Sequence, residues 1–177
     1  MPEYGSISMH PGDDIIAGSV VTLTFRYTVG AAGMEPGASL RIATPNDAWE
    51  WPRVPMHRYF QAGHERGGYD NGYCSYSRKN VRVELESDTG AWIDLDAEER
   101  TPAGDLRGPW ARHIVAVVKE KPLQEGDVVT VIYGDTTWGE EGIEVQRVAP
   151  TPKDHFHAYV DVTGDREFVE LPADELQ

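Results

Sequence analysis

The sequence predicts an all-β sandwich, on three observations. Apolar and polar residues alternate in many short runs, the gaps between the runs carry turn chemistry, and no stretch sustains a 3.6-residue period with helix caps. The clearest run is residues 19–30, where Val21, Leu23, Phe25, Tyr27 and Val29 alternate with Thr22, Thr24, Arg26 and Thr28. Successive side chains of a strand point to opposite faces, so this period of two describes a half-buried strand. Gly30-Ala31-Ala32-Gly33 breaks the run, and residues 39–44 resume it with Leu40 and Ile42, which implies a two-strand unit. Val81, Val83 and Leu85 come next, followed by residues 92–95, 113–118, 128–133 and 143–148. Phe156, Ala158, Val160 and Val162 form another run, and residues 168–171 the last.

Turn residues separate nearly all of these runs, as in Asp88-Thr89-Gly90, Gln124-Glu125-Gly126-Asp127, Gly134-Asp135 and Thr163-Gly164-Asp165. About eight to ten strands at this spacing, with no helix to cover a sheet, leave two sheets pressed together or a closed barrel. Unequal run lengths and one long interruption favour the antiparallel sandwich, immunoglobulin-like or jelly-roll-like. A chain of 177 residues suits a single domain over 1–177, with a loop insertion at about 45–80. That length buries roughly two thirds of the surface exposed by the unfolded chain. Neither an internal repeat nor a low-complexity tract is evident.

Composition narrows the function classes. A formal net charge of −14 opposes a nucleic-acid groove or an anionic membrane surface, because both need a local excess of Lys and Arg. The longest apolar-rich stretch, residues 15–29, is interrupted by Thr, Ser and Arg26 and cannot meet the roughly 20-residue requirement of a membrane span. The N-terminal Met1-Pro2-Glu3-Tyr4 has no basic and then apolar region of the secretory kind. Cys74 is the single cysteine, so no intrachain disulfide forms, and the chain reads as soluble and cytoplasmic.

The insertion is where the sequence departs from core-building. It holds Trp49, Trp51, Tyr59, Phe60, Tyr69, Tyr73 and Tyr76 among Arg53, His57, Arg58, His64, Arg66 and Arg78. Trp, Tyr and Arg give large contact area at low entropic cost, and planar or sugar ligands stack on such surfaces. Structureless connections of this length in compact domains are usually functional or docked against something. The candidate binding residues are therefore Trp49, Trp51, Arg53, His57, Arg58, Tyr59, Tyr69, Tyr73 and Tyr76, joined by Trp138. The competing reading is that the segment plugs one end of its own sandwich. The occupants it suggests are another protein domain or subunit, a small molecule, or a carbohydrate.

Other constellations are weaker. His155 and His157 flank Phe156 on an expected strand, so both imidazoles project from the face opposite Phe156. Two such nitrogens can chelate one divalent metal, zinc, iron or manganese, with His113 as a third ligand if its strand is a neighbour. Solvated strand histidines are the commoner outcome, and no cofactor is the default expectation. The glycine-rich residues 134–139 follow a strand but precede no helical pattern, which reads as a wide turn and not as a phosphate cradle. Cys74 shares its segment with His57 and His64, yet buried inert thiols are far commoner than reactive ones. The acidic run 94–99 lacks the spaced ligands and central Gly of a calcium loop and reads as a solvated turn.

The order of several pieces resembles a known family. These are Ala17-Gly18-Ser19 leading into Tyr27-Thr28-Val29-Gly30, residues 33–42, residues 123–135 (LQEGDVVTVIYGD), Val145-Gln146-Arg147 and residues 168–172 (FVELP). They resemble the N-terminal β-sandwich region of large bacterial proteins whose C-terminal half is a metallohydrolase related to the polymerase-and-histidinol-phosphatase superfamily. The resemblance implies a noncatalytic accessory domain, with the metal-bearing catalytic domain elsewhere. His155-Phe156-His157 is superficially similar to the superfamily's opening His-x-His element, but the twenty residues after His157 are too few for the remaining ligands and their barrel. No catalytic residue is carried over. The sequence thus favours an accessory binding or scaffolding sandwich, with a small metal-dependent enzyme and a carbohydrate-binding module as the rival classes.

Overall fold

A computed structural model describes residues 2–11, 15–44, 80–98, 112–137, 139, 141–145 and 156–172. Eleven strands run in chain order: β1 (Ser6–His10), β2 (Val20–Val21), β3 (Leu23–Thr28), β4 (Ser39–Thr44), β5 (Val81–Glu86), β6 (Trp92–Glu98), β7 (Arg112–Lys119), β8 (Val128–Tyr133), β9 (Ile143–Glu144), β10 (His157–Asp161) and β11 (Val169–Glu170). Among the described residues there is no helix. The strands form a four-stranded sheet, β1-β3-β8-β5, a five-stranded sheet, β11-β10-β4-β7-β6, and a two-stranded ribbon, β2-β9. Every pairing is antiparallel.

The alternation in the sequence is what presses the two larger sheets together. Ile7 and Met9 of β1, Leu23, Phe25 and Tyr27 of β3, Val129, Val131 and Tyr133 of β8 and Val81 of β5 enter the core from one side. Leu40 and Ile42 of β4, Ile114, Ala116 and Val118 of β7 and Ala158 and Val160 of β10 meet them from the other. Phe25 and Phe156 join the layers, their rings tilted at 60° with centroids 5.1 Å apart. Each large apolar side chain so buried contributes about 1.5–3 kcal/mol from leaving water. The Tyr27 hydroxyl, deep in this core, donates to the Tyr4 carbonyl at 2.9 Å, and burial raises its pKa well above the ordinary tyrosine value.

The outer faces of the sheets differ. On the four-stranded sheet Ser6, His10, Arg26, Glu84 and Glu86 are exposed, and Arg26 pairs with Glu86 across β8 at 3.0 Å. On the five-stranded sheet the outward residues Ala43, His113 and Val115 are buried. The run Ile114-Val115-Ala116-Val117-Val118 of β7 has no alternation, which is the pattern of a strand covered on both faces.

Four details depart from the sequence reading. The expected strand over 19–30 is two strands, because Thr22 turns its hydroxyl to the Gly134 carbonyl at 2.8 Å while β2 leaves to pair with β9. The runs on either side of Gly30–Gly33 do not form a two-strand unit: β3 lies in the four-stranded sheet and β4 in the other, so this connection crosses between layers. The acidic run 94–99 is not a turn through most of its length. Its residues up to Glu98 belong to β6, with Ile93 and Leu95 against the core and Asp94 paired to Lys119 at 3.7 Å. Finally, β1 was not expected, since Ser6-Ile7-Ser8-Met9-His10 offers only two apolar residues to the alternation.

Candidate functional site

Strand registers divide the sandwich into two unlike ends. At one end, four connections are tied to one another. Residues 29–38 join β3 to β4, 87–91 join β5 to β6, 120–127 join β7 to β8 and 162–168 join β10 to β11. Met34 and Leu123 exchange backbone hydrogen bonds at 3.0 and 2.8 Å, Glu35 N–H reaches the Val162 carbonyl at 2.8 Å, and Val29 N–H reaches the Asp127 carbonyl at 2.9 Å. Asp127 Oδ2 accepts from Gln124 N–H at 2.9 Å and from the Ser87 hydroxyl at 2.7 Å, linking two of the turns. Asp161, almost fully buried, accepts backbone N–H groups of Thr163, Gly164 and Arg166 at 3.2, 2.7 and 3.0 Å. A carboxylate closing a turn in this way satisfies amides that the sheet cannot reach.

The other end carries the longest connection and two others. Residues 45–79 lie between Thr44 and Asn80, 99–111 between Glu98 and Arg112, and 146–155 between Val145 and Phe156. Thr44 is paired with Arg112, His113 with Glu98 and His157 with Ala43, which puts these strand ends on one margin of the five-stranded sheet. Val81 and Leu23 are both paired with Tyr133 on the corresponding margin of the four-stranded sheet. The Phe25–Phe156 contact brings the two margins together. Three stretches far apart in sequence therefore leave from, and return to, one end of the molecule.

A hydrogen-bonded frame underlies that end. The Asn80 carbonyl, where the longest connection rejoins the sheet, accepts N–H groups from Gly134 at 2.6 Å and Asp135 at 3.1 Å. Asp135 is 3% exposed, and its Oδ1 accepts from the Thr137 hydroxyl at 2.7 Å and from Arg82 Nε at 3.2 Å. Among the described residues its Oδ2 is buried without a hydrogen-bond partner. Arg82 also pairs with Glu84, which holds the guanidinium above its ordinary pKa; burial works against this and Asp135 adds to it. These contacts fix a turn.

On the outer face of the five-stranded sheet, register aligns His157, Ala43, His113 and Glu98 in one row across β10, β4, β7 and β6. The strands of His113 and His157 are thus not neighbours, as a shared ligand set required: β4 lies between them, a separation of about 10 Å at two strand spacings. His157 Nδ1 meets Glu170 Oε1 at 2.6 Å, and its ring stacks on Tyr159 with centroids 6.5 Å apart. Burial first, and Glu170 second, raise the Tyr159 pKa. Arg41 lies over the Phe168 ring at 4.6 Å. Among the described residues no group of three His, Cys, Asp or Glu side chains is placed to hold a metal ion.

Trp49, Trp51, Arg53, His57, Arg58, Tyr59, Tyr69, Tyr73, Tyr76, Trp138 and His155 lie outside the described residues. The structure adds two residues that the sequence reading passed over. Ile16 is 73% exposed and Val20 51% exposed, beside the β2-β9 ribbon at the end with the long connections. A signal was present: Ala17-Gly18-Ser19 turns the chain after Ile15-Ile16, closed by Ser19 N–H to the Ile16 carbonyl at 3.0 Å. Trp92, at the opposite end beside Lys119, is 46% exposed as well.

Among the described residues no helix is long and apolar enough to cross a membrane. No family model, curated protein or solved structure matches the chain.

Proposed function

We propose that the chain is a noncatalytic β-sandwich, accessory to a larger hydrolase, that engages its partner through the end carrying the long connections. The observation that supports this reading is that the residues flanking 45–79, 99–111 and 146–155 lie at one end of a framework whose other end is closed by cross-tied turns. Binding residues concentrate on loops that a rigid scaffold positions, and the sandwich is such a scaffold. The composition of the longest of these connections fits the role, with its tryptophans, tyrosines and arginines in an otherwise acidic chain. The exposed Ile16 and Val20 extend the same end with apolar surface.

Direction adds a second argument. β11 runs antiparallel to β10, and Leu171 N–H then reaches the Ala158 carbonyl at 2.8 Å, so this last described strand points toward the same end. A hydrolase domain joined on that side would adjoin the surface assigned to binding.

The test begins with the adjoining reading frame, where the absence of a hydrolase would overturn the reading; if one is encoded there, its co-elution with the chain on size exclusion is compared for the unaltered protein and for a Trp49→Ala/Trp51→Ala/Tyr59→Ala variant. The expected result is loss of at least tenfold in affinity with an unchanged β-type circular dichroism spectrum. Full-strength association by a folded triple variant would overturn the assignment of this end.

A further inference from the structure

We draw no further inference here: the strongest candidate, the row of His157, Ala43 and His113 across the outer face of the five-stranded sheet, carries no metal or catalytic assignment, because no three ligating side chains converge there among the described residues and a further ligand such as His155 lies outside them.

Discussion

The two ends of the sandwich solve one problem in opposite ways. Each must return strands from one sheet to another without leaving buried amides and carbonyls unpaired. At the cross-tied end the connections bond to one another: Met34 to Leu123, Glu35 to Val162, Asp127 to Ser87 and Gln124. At the far end the described residues form a frame under the long connections, built from Asn80, Asp135, Arg82, Thr137 and Thr22. The difference teaches where change is tolerated. A turn whose polar groups hold its neighbours tolerates little change at those groups, and Asn80, Asp135 and Gly134 are constrained in the same way where the frame is built.

The strongest way to break this comparison is Gly134→Ala, in the frame of the long-connection end. Gly134 has φ +88°, and a Cβ there would meet the Val21 carbonyl oxygen at 2.5 Å. Left-handed strain and a backbone collision together should cost about 3 kcal/mol or more, read as a lower midpoint in urea at constant slope. Gly90→Ala is its counterpart at the cross-tied end. Gly90 has φ +80° but open space around the site of a Cβ, so only the conformational cost of about 1–2 kcal/mol is expected. Equal losses from the two substitutions would show that backbone strain alone, and no tightness of the frame, decides both.

Next in size is Asp161→Ala. It removes a buried carboxylate that accepts three backbone amides of an otherwise exposed turn, and about 2–3 kcal/mol should be lost. Asp135→Ala should cost less, about 1–2 kcal/mol, because Arg82 retains Glu84 and the buried Oδ2 that is removed had no hydrogen bond to lose among the described residues. A larger loss at Asp135 than at Asp161 would reverse the ranking of the two frames.

The smallest effect concerns pH. Glu167 N–H first, and then the Thr163 hydroxyl, hold the Asp165 carboxyl below the ordinary aspartate value. Because the folded pKa is depressed, its contribution is present at neutral pH and is lost as pH falls below about 4, through the ordinary value and then the folded one. Asp165 is fully exposed, so the check is a site-resolved carboxyl titration by NMR. A midpoint at or above the ordinary value would remove the role of the Glu167 amide, which lies 2.9 Å from Oδ1.

Much of the fold was legible in local pattern. Leu23, Phe25 and Tyr27 alternate with Thr24 and Arg26 and do face the core as period two demands, and the same holds for Leu40 and Ile42. The departure of β6 from the expected turn is also intelligible afterwards, since Ile93 and Leu95 keep the alternation while Asp94 faces outward to Lys119. The candidate site was less legible. The histidine row illustrates why: the placement of His157 on the face opposite Phe156 follows from one strand, but the interposition of β4 depends on pairings made over more than 40 residues.

By itself the sequence determined which side of the alternating strands, such as β3, is apolar, because that is written in neighbouring residues and in the geometry of an extended chain. It also marked the aromatic and basic stretch as unlike the rest. Only the tertiary structure decided that β3 and β4 separate into different sheets and that the residues flanking 45–79, 99–111 and 146–155 share one end. Alternation tells a strand which face to bury but not beside which strand to bury it; that choice depends on how all the apolar faces fill one core together.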